Sequence, residues 1–117
     1  MDQETADYIV EHYHHLLKVG ERAAVRHMIG EFKMAAYDNR ERMERVLIEN
    51  GWLTKDQSIL NLLIDGPEKF NMRVAERIMR EAPGKVFLNH CTQCGKLART
   101  PVAKQCRCGY QWHDKTA

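Results

Sequence analysis

All four cysteines of this 117-residue chain, Cys91, Cys94, Cys106 and Cys108, fall within one short segment near its end. The ninety residues before them hold none. Their spacing is C-x2-C-x11-C-x-C, two close pairs separated by enough chain for an outward run and a return. A tetrahedral zinc site needs four ligands, with thiolate sulfurs about 2.3 Å from the metal. Two ligands from one tight turn and two from a second turn brought alongside meet that need. Gly95 follows Cys94 and Gly109 follows Cys108, where the backbone must turn sharply beneath the metal. Pro101 sits between the pairs, where the return turn belongs.

The second pair, Cys106-Arg107-Cys108, is one residue tighter than the first. Alternate residues of a straight strand cannot place two sulfurs on one zinc, so the backbone there must bend. His113 lies five residues beyond Cys108 and is the alternative ligand for one member of that pair. His90, beside Cys91, is a weaker one. A redox role for Cys91-Thr92-Gln93-Cys94 lacks the βαβ setting that such a motif uses. An iron–sulfur cluster accepts four thiolates, but in other spacings. The ligand set expected is Cys91, Cys94, Cys106 and Cys108, and the cofactor is Zn2+ in a structural role.

Around this site the sequence reads "KVFLN", "KLART" and "YQWH", short segments with strand-compatible residues. Too few apolar side chains are present to hold such a unit together. Zinc binding contributes about 10–16 kcal/mol to folding in small modules of this kind. Charge separates the same region from the rest. Residues 1–89 carry 13 basic and 15 acidic side chains, whereas residues 90–117 carry 5 basic and 1 acidic. The division expected is 1–84, a helical bundle, and 85–117, a zinc ribbon. The fold class is mainly α, a small helical bundle followed by a short β-rich zinc-ribbon module.

Helical periodicity runs through the first part. Ile9, Tyr13, Leu16 and Leu17 predict a helix over 2–19, with Thr5 as N-cap and Gly20 as the stop. Val25, Met28, Phe32, Met43, Val46 and Leu47 mark 21–50 as one long helix or two. Two is the favoured reading, because Asp38-Asn39 is better capping than helix-interior chemistry. Thr54 and Gln57 have capping-box spacing before an inward stripe of Ile59, Leu60, Leu63 and Ile64. Pro67 opens the next helix, with Phe70, Val74 and Ile78 on one face, and Pro83-Gly84 closes it.

"CTQCGKLARTPVAKQCRCGYQWH" resembles the C-terminal zinc ribbon of a group of small, uncharacterised bacterial proteins with helical N-terminal regions. The likeness rests on the C-x2-C-G turn, the "LARTP" segment and the closing cysteine pair followed by an aromatic and a histidine. It covers about the last quarter of the chain. In that group the second pair usually has two intervening residues, against one here. The resemblance implies the fold of the module and brings no activity.

For function, no phosphate-cradling glycine loop or serine–histidine–acid set is present, which disfavours an enzyme. The acidic N-terminus is no signal peptide and no apolar run is long enough to span a bilayer, so a cytoplasmic location is expected. Two partner classes remain. One is protein, with the chain as an adaptor. The other is nucleic acid, contacted by Lys96, Arg99, Lys104 and Arg107 with Tyr110 and Trp112 close by. Arg73, Arg77 and Arg80 form a second basic stripe. His12, His14, His15 and His27 read as surface or half-buried side chains, and Trp52 as a cap on the bundle core.

Overall fold

A computed structural model describes residues 1–112 of the chain. Its order is helix α1 (Gln3–His12), a 3-10 turn at His14–Leu16, α2 (Val19–Met34), α3 (Arg40–Glu49), the short α4 (Gln57–Asn61) and α5 (Pro67–Glu81). A second 3-10 turn, Pro83–Lys85, leads into the cysteine segment. The molecule is mainly helical. No helix among the described residues is long and apolar enough to cross a membrane.

The core forms where α1 lies along α5. Ala6, Ile9 and Tyr13 meet Phe70, Val74, Ala75 and Ile78, the apolar stripe read from α5. Burying each large apolar side chain contributes about 1.5–3 kcal/mol, so this interface organises the domain. Leu97, from between the two cysteine pairs, belongs to the same cluster, and Val86 and Leu88 pack against it. The core therefore crosses the division expected at residue 84.

The first helix is shorter than its periodicity predicts, and its cap is Asp2 rather than Thr5. The Asp2 carboxylate accepts from the Thr5 amide at 2.8 Å. The helix stops at His12, and Gly20, expected as its end, lies inside α2 instead. A long-range anchor explains the break. The Lys18 amide donates to Glu21 at 2.8 Å, and Arg77 of α5 holds the same carboxylate through Nε at 3.3 Å. Arg77 also donates to Glu81 across one turn of α5 at 2.8 Å. Its side chain is only 14% exposed, so this part of the expected basic stripe is internal mortar. Arg73 is likewise engaged, with Asp65 at 2.9 Å and the Leu62 carbonyl at 2.8 Å.

The 21–50 region is two helices, and Asn39 caps the second by accepting from the Arg42 amide at 3.2 Å. The following helix differs from expectation. Asp56, not Thr54, is its N-cap, accepting from the Ser58 amide at 2.9 Å. Thr54 instead accepts from the Asp56 amide, and only one helical turn or so follows. Ile59, Leu62 and Leu63 lean on the core, whereas Ile64 is 73% exposed and leaves the expected stripe.

His27 is buried on α2 and decides how the loop after α3 returns. Its Nδ1 accepts from the Thr54 amide at 3.1 Å, which places the ring proton on Nε2, 2.9 Å from the Glu31 carboxylate. Gly30 lies one turn on, where the loop passes so close that a Cβ would sit 2.2 Å from the Trp52 carbonyl oxygen. Trp52 itself carries Lys33 Nζ at 3.6 Å and Arg26 at 5.5 Å from its ring centroid. It is a platform for two cations, not a plug in the main core.

Candidate metal centre

The chain leaves the second 3-10 turn and is pinned to α1 before it reaches the first cysteine. The Tyr8 hydroxyl donates to the Phe87 carbonyl at 2.7 Å, and the Phe87 amide donates to the Tyr13 hydroxyl at 2.9 Å. Both tyrosines are buried, so these bonds fix the depth and angle at which the segment departs. Residues 85–112 carry two isolated antiparallel bridges, His90–Leu97 and Gln105–Gln111, where "KVFLN", "KLART" and "YQWH" suggested strands. Each bridge is flanked by two backbone bonds, Cys91 to Lys96 and Ala98 to Asn89 in the first, Cys106 to Tyr110 and Trp112 to Lys104 in the second. Neither pairing extends into a strand.

The two turns repeat one design. In the first, the Gly95 amide donates to the Cys91 carbonyl at 2.9 Å and the Cys91 amide to the Lys96 carbonyl at 2.8 Å. In the second, the Gly109 amide donates to the Cys106 carbonyl at 2.9 Å and the Cys106 amide to the Tyr110 carbonyl at 2.8 Å. Each bond of the second turn spans one residue fewer than its counterpart. The missing residue of Cys106-Arg107-Cys108 is thus absorbed locally, and both turns close on a glycine with positive φ, 79° at Gly95 and 95° at Gly109. The bend that the short spacing demanded is this compressed turn.

As a result all four sulfurs converge. They lie within 4.8 Å of one another, with Cys91–Cys108 at 3.8 Å and Cys94–Cys106 at 3.4 Å. Zinc–sulfur bonds of 2.3 Å at tetrahedral angles require sulfurs about 3.8 Å apart. A disulfide needs about 2.05 Å, and all four cysteines are free. Cys91 and Cys106, first of each pair, are buried against the fold, while Cys94 and Cys108 face outward. The Gln93 amide points at the Cys91 sulfur at 3.4 Å, a donor suited to a thiolate.

The thiol chemistry fits a cation. Burial works against ionising Cys91, but the backbone amides of Cys94 and Gln93, with the neighbouring Cys106 and Cys94 thiols, outweigh it and bring the thiol down to about 7. The Tyr110 amide pulls Cys108 the same way, but the neighbouring sulfurs of Cys106, Cys94 and Cys91, together with burial, push it up to about 11. Four adjacent thiols cannot all ionise unaided, because each thiolate repels the next. A divalent cation at their centre removes that obstacle. Cys91, Cys94, Cys106 and Cys108 would hold the ion, whose role is to cross-link the two turns.

His90 stands outside the sulfur cluster, its Nδ1 3.1 Å from the Gly95 carbonyl. His113, the alternative ligand, lies outside the described residues. Thr100 and Ala103 close the return turn around Pro101, through an amide–carbonyl bond of 3.3 Å. Asn89 holds that turn from beneath. It is buried, and its Nδ2 donates to the Thr100 carbonyl at 3.0 Å and the Ala103 carbonyl at 2.9 Å. Asn89 belongs to no motif in the sequence. Its signal was an amide at the end of the apolar run "VFLN", where a strand would disfavour it.

Lys96, Arg99, Lys104 and Arg107 are all exposed, and three of them line clefts that acidic side chains share. Lys96 and Arg107 line a cleft beside the cysteines together with Asp2 and Glu4. Arg99 and Arg107 line another of about 450 Å³ opposite Glu4, Asp7 and Glu11 of α1. Tyr110 and Trp112 stack with ring centroids 6.2 Å apart. Comparison with protein-family models, with curated proteins and with solved structures found no match.

Proposed function

We propose that the chain is a non-enzymatic zinc protein in which one structural Zn2+ closes a C-terminal zinc-ribbon module, and that the assembled surface serves as a protein-interaction adaptor. The observation that carries the zinc reading is the convergence of four free sulfurs within 4.8 Å. Four thiolates complete a tetrahedral shell and leave no position for substrate, which separates such a site from catalytic zinc. Partner binding by protein is supported by apolar side chains left in solvent, Phe32 at 82% and Val102 at 81% exposure. The acidic side chains opposite Arg99 and Arg107 oppose attraction of a polyanion at that face.

The second reading is a nucleic-acid-binding regulator, favoured by the Tyr110–Trp112 stack on a module with exposed Lys104. Elemental analysis of protein purified without added metal tests the first part: about one zinc per chain is expected, and iron, or full folding in chelator, would refute it. Affinity capture with and without nuclease separates the partners. A protein partner retained after nuclease supports the adaptor; capture abolished by nuclease supports the regulator.

A further inference from the structure

The outer face of α2 holds a concavity of about 510 Å³ lined by His14, Val19, Arg22, Ala23, Arg26 and Gly51. Its ionisable groups are all basic. The two clefts beside the cysteines contain Asp2, Glu4, Asp7 or Glu11, and the one at His27 contains Glu31 and Glu44. Among the described residues the Arg22 side chain makes no hydrogen bond or ion pair, and Arg26 lies beside Gly51 with its guanidinium 5.5 Å from the Trp52 ring centroid and no carboxylate partner. Among the described residues the His14 side chain makes no hydrogen bond or ion pair either.

Arg22 and Arg26 stand four residues apart on α2, so their side chains are neighbours on one face. Like charges at that spacing repel and destabilise a helix, whereas Arg77 and Glu81 at the same spacing on α5 attract. No carboxylate among the described residues pairs with either guanidinium, and a dianion seated between them would relieve the repulsion. Guanidinium forks match phosphate oxygens with paired, charge-assisted hydrogen bonds. The volume exceeds a bare phosphate and lies in the range of small-molecule sites. Val19, 76% exposed at the rim, offers apolar surface to the remainder of a ligand.

From this arrangement we infer that the α2 concavity is a binding site for a small organic phosphate monoester, with Arg22 and Arg26 clasping the phosphate and Val19 contacting its organic part. The site is remote from the cysteines in the chain and does not depend on the metal's identity.

Calorimetric titration of the zinc-loaded full chain with phenyl phosphate, inorganic phosphate and acetate, at matched ionic strength, tests the assignment. Saturable binding of phenyl phosphate is expected, weaker binding of inorganic phosphate, and none of acetate. Converting both Arg22→Gln and Arg26→Gln should weaken phenyl phosphate about tenfold or more, since each loses a charge-assisted bond. Arg22→Lys with Arg26→Lys keeps the charge and loses the fork, so an intermediate affinity is expected. Arg80→Gln, exposed on α5, should change nothing. Equal affinity in the double Gln variant, with native circular dichroism, would overturn the site. Acetate binding as tightly as phenyl phosphate would overturn the phosphate assignment. Inorganic phosphate binding as tightly as the ester would remove the organic part of it.

Discussion

Leu97→Ala asks whether the cysteine turns and the helices stabilise each other. Leu97 is 8% exposed and belongs to the cluster formed by α1 and α5, though it lies between the cysteine pairs. Truncating a buried leucine costs about 2–5 kcal/mol, according to how far the site collapses. Leu97 sits at the edge of the cluster, beside a cleft into which neighbours can relax, so about 2 kcal/mol is the reasonable expectation. On the proposed reading, a bound zinc would fold the turns and seat Leu97 in one event, and the lost docking energy would then appear in the metal affinity. A loss of 2 kcal/mol corresponds to about a 30-fold weaker apparent zinc affinity. A chelator competition read by released metal measures that quantity, and thermal unfolding by circular dichroism follows the helices. Both should fall together. Unchanged zinc affinity with a lowered melting temperature, or the converse, would refute the coupling and leave the two parts merely tethered.

Further outcomes follow from the same geometry. Gly30→Ala gains helix propensity but places a Cβ against the Trp52 carbonyl, so a net destabilisation of about 1–3 kcal/mol is expected in denaturant unfolding. Cys108→Ser should weaken metal binding far more than His113→Ala, and the cobalt-substituted protein should show the charge-transfer intensity of four sulfurs; three sulfurs and one nitrogen would put His113 in the shell. The hydroxyl and then the amide of Thr5, and likewise of Ser58, hold the Asp2 and Asp56 carboxyls below their ordinary value of 3.8. Capping stability is therefore fully present above that value and is lost as pH falls through the lowered folded-state values. Asp2→Asn should flatten this part of the acid limb in helix-detected titration. Zinc release, which requires thiolate protonation, should still occur in that variant.

The chain's local chemistry made some features legible in advance. Cysteine spacing and the two glycines pointed to a single four-sulfur site, because the tight turns that present the ligands are local structures. The α5 stripe and the Asn39 break were readable for the same reason: periodicity and capping act over a few residues. Where α1 ends was not readable, since it depends on Arg77, far along the chain, reaching Glu21 and the corner it holds. The fate of the basic side chains was equally hidden. Arg77 became internal, Arg99 faced the acids of α1, and Arg22 with Arg26 were left together in a concavity that no motif announces. The sequence by itself determined which residues bring sulfur to one place and which faces are apolar, because those follow from bonding distance and helical period. Only tertiary structure decided that Leu97, Tyr8 and Tyr13 bind the cysteine turns to the helices, and which charges are neutralised, because both depend on surfaces that meet only after the chain has folded.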